Sequence, residues 1–261
     1  VIGELRQTFP LKFLLSYFNM PSSTFYAAIK PHDDKYSKLE DRITQIFHEH
    51  KGRYGVRRIT AQLRNEGVLI NHKTVYRLMI KLRLKSVQRQ VKYRSYKGTV
   101  GKVAPNILQR NFYADKENQK WTTDITYLIH NGNRMYLSSI MDLNTRNIIA
   151  YKISKTIDNK LVMDTLNEAI RKQKDVHGLI IHSDQGFQYT SNEYKAICEA
   201  NGIIISMSPK GSPVDNSPIE SFHSNLKRET LRSYNITSLK EYVDIVKEWI
   251  LFYNTNRIRL N

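Results

Sequence analysis

Cysteine is nearly missing from this chain. Cys198 stands alone, which excludes a disulfide framework within the chain and any zinc site built on several thiolates. Its helical spacing with Tyr194 and Ile197 marks it as a packed core thiol, and a reducing, cytoplasmic setting is the expectation. Long apolar runs are missing as well. Nothing approaches the roughly 20 residues that span a bilayer, and Leu11-Lys12-Phe13-Leu14-Leu15 is too short and too charged to act as a signal segment. Acidic residues are scarce: 24 Asp and Glu face 41 Lys and Arg, a formal net charge of +17. Such a field favours a polyanion, and without a membrane span or a lipid signal that polyanion is nucleic acid rather than a membrane surface.

What is present is the composition of a folded protein. With 40% hydrophobic and 10% aromatic residues, 261 residues suffice for one ordinary domain plus one or two small ones. Residues 11 to 30 read as two short helices around Asn19-Met20-Pro21, with Ser22 capping the second; a helix-turn-helix and a plain helical hairpin fit equally well. After the polar break His32-Asp33-Asp34-Lys35, Ser37 and Glu40 form a capping-box pair for a helix bearing Leu39, Ile43, Ile46 and Phe47. A second helix carries Val56, Ile59 and Leu63 and stops at Gly67. Asn71 caps a third with Val75, Leu78, Met79 and Leu82 inward, leaving Lys73, Arg77 and Lys81 on its outer face.

A helical bundle with a solvated basic face would show the same periodicity. Between residues 51 and 110, however, Glu66 is the only acid among many lysines and arginines, an imbalance that repels itself unless a polyanion is bound. Arg57, Arg58, Lys73, Arg77 and Lys81 are therefore the candidate DNA contacts of this region. Tyr93 and Tyr96 interleave further basic residues, and with Gly98, Gly101 and Pro105 they read as an extended, DNA-tracking linker. The expected division is a short helical segment over 1–34, a basic helix-turn-helix-like module over 35–95, a basic linker over 96–115 and a catalytic core over 116–261.

The core reads as α/β. Trp121 to Ile129 alternates, Asn131-Gly132 signals a hairpin, Met135 to Met141 returns, and Asn147 to Ile153 gives a third strand. A helix with Val162, Leu166, Ala169 and Ile170 inward follows, then the apolar run Gly178-Leu179-Ile180-Ile181 of a buried strand. Thr190 and Glu193 read as the capping pair of the next helix, Ile203 to Met207 as another strand, and Ser238 and Glu241 as the start of a helix with Tyr242, Ile245, Val246, Trp249, Phe252 and Tyr253 on its stripe. Three antiparallel strands followed by helix, strand, helix, strand and helix is the element order of a ribonuclease-H-like fold, a mixed sheet flanked by helices.

Three acids stand at telling places in this order. Asp124 lies inside a strand, where Asp is disfavoured. Asp184 sits where the buried strand runs out, with Gly186 allowing a sharp turn, the usual location of a site in an α/β sheet. Glu220 lies in the first turn of a helix opened by Pro218, beside the buried stripe Ile219, Phe222 and Leu226. Carboxylates from a strand, a strand end and a helix can converge on a hard divalent cation. Taken singly, each has a plainer reading, as edge-strand acid, turn former and solvated first-turn Glu. His182 and His223 have two readings each: ligand or DNA contact, or else a strand-packed His182 and a surface His223. Asp215 precedes the helix and shapes the turn.

With Trp121-Thr122-Thr123-Asp124-Ile125-Thr126-Tyr127, His182-Ser183-Asp184-Gln185-Gly186, an interval of 35 residues (185–219), Asp215-Asn216-Ser217-Pro218-Ile219-Glu220-Ser221-Phe222 and a basic Lys227 seven positions later, the chain resembles the integrase-like transposases encoded by the second reading frame of bacterial insertion sequences of the IS-three type. These belong to the DDE superfamily. The resemblance implies a ribonuclease-H-like core and a DDE transposase that cleaves element ends and transfers the 3′-hydroxyl to target DNA. Asp124, Asp184 and Glu220 would hold two Mg²⁺ ions, with Mn²⁺ substituting, and Lys227 would contact terminal DNA. Double-stranded DNA, further copies of the chain and an upstream-frame helix-turn-helix protein, joined by frameshifting, are the implied partners, in a bacterial, nucleoid-associated setting. The last of these would account for Val1, and since the family runs on past a segment like Tyr253-Asn254-Thr255-Asn256-Arg257, a truncated C-terminus is expected. One departure is Ser212-Pro213-Val214, where the family commonly has an aromatic. A catalytically silent DNA-binding remnant is the alternative; a non-specific ribonuclease-H-type nuclease would leave the basic N-terminal half unexplained.

Overall fold

The computed structural model describes residues 2–29, 36–86, 103–173 and 175–259. Two compact units result, Val1–Gln45 and Ile46–Asn261. The first holds α1 (Ile2–Leu5), α2 (Leu11–Tyr17), α3 (Ser22–Ile29) and most of α4 (Ser37–Glu49). Leu14, Phe25 and Ile43 are buried apolar residues of this unit. The expected capping box is not formed at Ser37, because the chain is already helical there: Glu40 N–H bonds the carbonyl of Tyr36 at 2.8 Å.

The second unit begins with α5 (Val56–Asn65) and α6 (His72–Lys81). Ile59, Leu63, Val75, Leu78 and Met79 are buried. Gly67 ends α5 at φ +84°, and Val68 N–H reaches back to Leu63 O at 2.9 Å, the hydrogen bond of a glycine-terminated helix. Asn71 caps α6, its side chain accepting from Lys73 N–H at 2.9 Å. The turn chemistry of this pair is thus the one the sequence spells out.

The core sheet has the order β3-β2-β1-β4-β5. Strands β1 (Lys120–His130), β2 (Asn133–Asp142) and β3 (Ile148–Ser154) form an antiparallel meander, and Asn131-Gly132 makes its first turn with positive φ at both residues. Strands β4 (Ile180–Ser183) and β5 (Ile204–Met207) then run parallel to β1. Their crossovers are α7 (Asn159–Gln173) and α8 (Asn192–Ala200). Strand alternation divides the core in two. Trp121, Ile140, Ala150 and Ile181 face α7 and α8 with Val162, Leu166, Tyr194 and Cys198. Leu128, Leu137, Met141 and Ile148 face α9 (Ser217–Leu231) and α10 (Leu239–Thr255) with Ile219, Phe222, Leu226, Tyr242 and Trp249. This is the ribonuclease-H-like architecture expected from the element order. The cap of α8 is Ser191, which accepts from Tyr194 N–H at 3.2 Å, rather than Thr190; the Thr190 hydroxyl is turned back onto the carbonyls of Gly186 and Phe187.

Two connections shape this unit. Of the expected linker, residues 96–102, with Tyr96, lie outside the described residues, as do residues 87–95, with Tyr93, at the end of the expected module. The part that is described, 103–115, is bound to the sheet: Pro105 O accepts from Met207 N–H at 3.2 Å, and Ser206 Oγ accepts from the N–H groups of Ile107 and Leu108 at 3.0 and 3.1 Å. It covers the free edge of β5, which would otherwise expose unpaired backbone groups. The second connection fastens α5 to the back of the core. Glu229, on α9 and almost fully buried, accepts from Arg257 at 2.7 and 3.1 Å and from Trp249 Nε1 at 3.1 Å, while Arg58 lies 3.7 Å away. Burial works to raise the Glu229 carboxyl, but the Arg257 bonds and the Arg257 and Arg58 charges outweigh it and leave the group below its ordinary value. The Arg58 side chain also donates to Ile258 O at 3.0 Å. Tyr54 accepts from Ile258 N–H at 3.0 Å, and Arg53 donates to Tyr234 at 2.6 Å.

Candidate active site

Each of the three acids is delivered by a different element. Asp124 lies on the α9-facing side of β1, with Thr122, Thr126 and Leu128 in the same alternation. Asp184 directly follows β4, which pairs with β1 in parallel up to His182 beside Thr122. The carboxylate of Asp184 accepts from Gly186 N–H at 2.9 Å, and a Cβ at position 186 would stand 3.0 Å from its Oδ1, so a side chain there would crowd the carboxylate. Glu220 occupies the first turn of α9. That helix is held by Ile219, Phe222 and Leu226, all buried, each contributing about 1.5–3 kcal/mol by removal from water.

The acids act on one another electrostatically. Burial pushes Glu220 up to about 7, and the charges of Asp124 and Asp184 add to the shift. Crowding by protein pushes Asp184 up to about 6, Asp124 adds to it, and the Gly186 N–H opposes it. Asp184 is nonetheless an exposed residue, open to solvent at the end of β4. Tyr189, behind the sheet, is raised by burial and then by the same two aspartates. Among the described residues, no cationic side chain figures in the influences on Asp184 or Glu220. Among the described residues no group of three His, Cys, Asp or Glu side chains is gathered closely enough to grip a metal ion. The three acids thus influence one another through their charges without being gathered tightly around one point. An all-carboxylate set of this kind is the donor chemistry of Mg²⁺ or Mn²⁺.

Four buried polar residues build the surroundings. Asn216 is buried; its amide donates to the Thr123 carbonyl at 3.1 Å, and its oxygen accepts from the Thr122 hydroxyl. This is why it does not cap α9 with its side chain. Asp215, also buried, accepts from Asn106 at 3.1 Å and from Arg110, so beyond shaping the turn it ties α9 to the segment over β5. His223, read either as a ligand or DNA contact or as a surface residue, is buried against Asp124 at 3.3 Å and Ser139 at 2.7 Å. Its spacing of three from Glu220, one helical face, was the available signal. His182 is the strand-packed residue: its two ring nitrogens lie 2.8 Å from the hydroxyls of Ser206 and Ser208, and burial holds it down to about 4.

The candidate DNA contacts separate. Arg57, Lys73, Arg77 and Lys81 are exposed on α5 and α6. Arg58 is corrected: its side chain turns inward to Glu229 and Ile258, because α5 presents that position to the buried carboxylate. Lys227 lies on α9, seven residues from Glu220 and on the same face.

Comparison with known proteins identifies the family. Residues 114–213 and 201–258 match family models described as Integrase core domain, and residues 34–92 match HTH-like domain. The InsK protein of insertion sequence element IS150 from Escherichia coli (strain K12) is 43% identical over 262 residues, covering 100% of this chain and 93% of that relative. The chain belongs to the integrase-like transposases of IS3-type insertion sequences. The transposase for insertion sequence element IS904 of Lactococcus lactis is 36% identical across 84% of this transposase and 88% of its own length. A solved structure of the HTLV-2 integrase catalytic core domain in complex with magnesium is 16% identical with a TM-score of 0.44, covering 54% of this chain and 88% of that one. As a member of this family the transposase is an enzyme of the polynucleotidyl-transferase type. Among its described residues no helix is long and apolar enough to cross a membrane.

Proposed function

We propose that this transposase cleaves the ends of its own insertion sequence and joins the released 3′-hydroxyls to target DNA, with Asp124, Asp184 and Glu220 as the ligands of catalytic divalent metal. The observation that carries the reading is the elevation of Glu220 to about 7 and of Asp184 to about 6, by burial first and then by the charges of the neighbouring acids. Carboxylates that disfavour one another's ionisation are stabilised by a bound cation. Two Mg²⁺ ions, or Mn²⁺ in their place, would supply charge neutralisation and activation of the attacking oxygen. In cleavage, the water oxygen bonds to phosphorus as the P–O3′ bond breaks, and a proton goes to the departing 3′-oxygen. In transfer, that 3′-hydroxyl attacks a target phosphodiester and one P–O bond replaces another, so no nucleotide energy source is required.

The chain's other residues hold the substrate. Arg57, Lys73, Arg77 and Lys81 serve the phosphate backbone along α5 and α6. Lys227 holds a phosphate near the cleaved end, close to two helical turns from Glu220. Double-stranded element ends, target DNA and further copies of the chain are the partners. An upstream-frame protein would show itself as a requirement for a fused upstream segment in the assay that follows.

The test is Mg²⁺-dependent cleavage of a duplex carrying the terminal sequence of the element. Asp124→Asn, Asp184→Asn and Glu220→Gln are expected to lose cleavage while binding the duplex as the parent does. Lys227→Ala is expected to bind terminal DNA more weakly with metal binding intact. Near-normal cleavage by any of the three acid variants would end the triad assignment. Binding without cleavage by the parent protein would leave the silent-remnant reading.

A further inference from the structure

We infer that His223 is a positioning residue, oriented by Ser139, that holds Asp124 in the rotamer needed for metal binding; the inference rests on the acidic-triad reading above. Asp124 and Ser139 are direct partners across the β1–β2 ladder, so their side chains emerge on the same face of the sheet. His223 descends onto that face from α9. Its Nδ1 lies 3.3 Å from Asp124 Oδ2 and its Nε2 lies 2.7 Å from Ser139 Oγ. The other carboxylate oxygen of Asp124 accepts from Ile125 N–H at 2.8 Å.

The chemistry of the three groups limits the arrangement. A carboxylate that is ionised only accepts, so the Nδ1 edge, at ion-pair distance, is the one that presents a proton to Asp124. In the neutral tautomer with Nδ1–H, the Ser139 hydroxyl donates to Nε2. Ser139 is fully buried and His223 nearly so. Neither competes with water, and neither side chain has room to turn away. The result is a second layer of polar contacts behind one acid, the kind of arrangement that orients carboxylate and imidazole ligands around metals elsewhere and whose removal costs about 10–100-fold in affinity or activity. The same contact joins Asp124 to the helix that carries Glu220, three residues before His223, so two of the three acids are set relative to each other through one imidazole.

The experiment measures Mn²⁺ binding to the full chain by the loss of the free-ion electron paramagnetic resonance signal. An Asn amide nitrogen falls near the position of Nδ1, and a Gln amide nitrogen falls near Nε2. His223→Asn, which keeps the donor toward Asp124, is expected to bind Mn²⁺ within about threefold of the parent, and His223→Gln at least about tenfold more weakly. Ser139→Ala, which touches no acid, is expected to weaken Mn²⁺ several-fold. Parent-like binding by His223→Gln, or equal losses in both amide variants with none in Ser139→Ala, would overturn the inference, since the imidazole would then be a ligand or mere packing. Unchanged Mn²⁺ binding by Asp124→Asn would remove the triad reading itself, and this inference with it.

Discussion

Asn216 donates its side-chain amide to the carbonyl of Thr123 at 3.1 Å, one residue before Asp124 and four before Glu220 in the helix it precedes. A single buried amide thereby registers the helix of one acid against the strand of another. Asn216→Ala leaves the Thr123 carbonyl and the Thr122 hydroxyl without this partner, a cost of about 1–3 kcal/mol. The larger consequence is expected in the reaction. Loss of register between Asp124 and Glu220 should lower kcat for end cleavage by tenfold or more while the affinity for terminal duplex is unchanged. An Asn216→Ala protein with parental kcat would show that the packing of Ile219, Phe222 and Leu226 alone sets the register.

The acids impose a pH dependence whose sign follows from their shifts. Glu220 is raised from 4.5 to about 7 in the folded chain, so the folded state binds the proton more tightly than the unfolded one. Stability is then lost as pH rises from about 4.5 through 7, where Glu220 must ionise beside two other carboxylates. Glu220→Gln removes that penalty. Without divalent metal it is expected to melt roughly 2–4 °C above the parent at pH 8, where half-exposure keeps the gain to about 1 kcal/mol. The difference should vanish at pH 5. With saturating Mg²⁺ the order at pH 8 should invert, because the parent gains bound cation and the variant does not.

Much of this was legible in the chain itself. Asn131-Gly132, Gly67, Asn71 and Ser238 each force a local geometry through their own backbone or side-chain chemistry, and each is found in that role. The stripe Ile219, Phe222 and Leu226 gave the face of α9 because helical period and burial are one signal. What was not legible is what depends on partners distant in sequence. Asn216 has the composition of a cap, and only the approach of β1 diverts it to Thr122 and Thr123. Arg58 is indistinguishable from Arg57 until Glu229, far along the chain, is brought beneath it. Residues 103–115 have a linker's composition, and they become an edge cover only because Ser206 presents its hydroxyl to them.

Glu229 concentrates the attachment of α5 to the core. It is one carboxylate among Arg257, Arg58 and Trp249, nearly excluded from water. Replacing it by Ala strands buried guanidinium groups, and a loss of about 3–5 kcal/mol is expected. Its sign with pH is opposite to that of Glu220. The Glu229 carboxyl lies below its ordinary value, so its contribution is present above about pH 4.5 and is lost as pH falls through the folded pKa. Thermal unfolding should therefore show parent and Glu229→Gln far apart at pH 7 and converging toward pH 3. Equal melting at pH 7 would mean that the hub contributes nothing net.

Arg57 and Arg58 provide the sharpest separation of roles, since they differ by one position and share a chemistry. Arg57 is exposed on α5, whereas Arg58 donates to Ile258 O at 3.0 Å and stands 3.7 Å from Glu229. A residue that neutralises a phosphate releases counterions when DNA binds, and its removal should reduce the slope of log K against log salt by about 0.9. Arg57→Ala is expected to do this without moving the melting temperature. Arg58→Ala is expected to do the reverse, lowering the melting temperature while leaving the slope alone, because a buried partner of Glu229 has been lost. Full-length protein titrated onto terminal duplex between about 50 and 200 mM salt, with melting curves alongside, reads both quantities on the same samples. An Arg58→Ala protein that keeps its stability and loses a unit of slope would return Arg58 to the DNA surface and detach the hub from the function of α5.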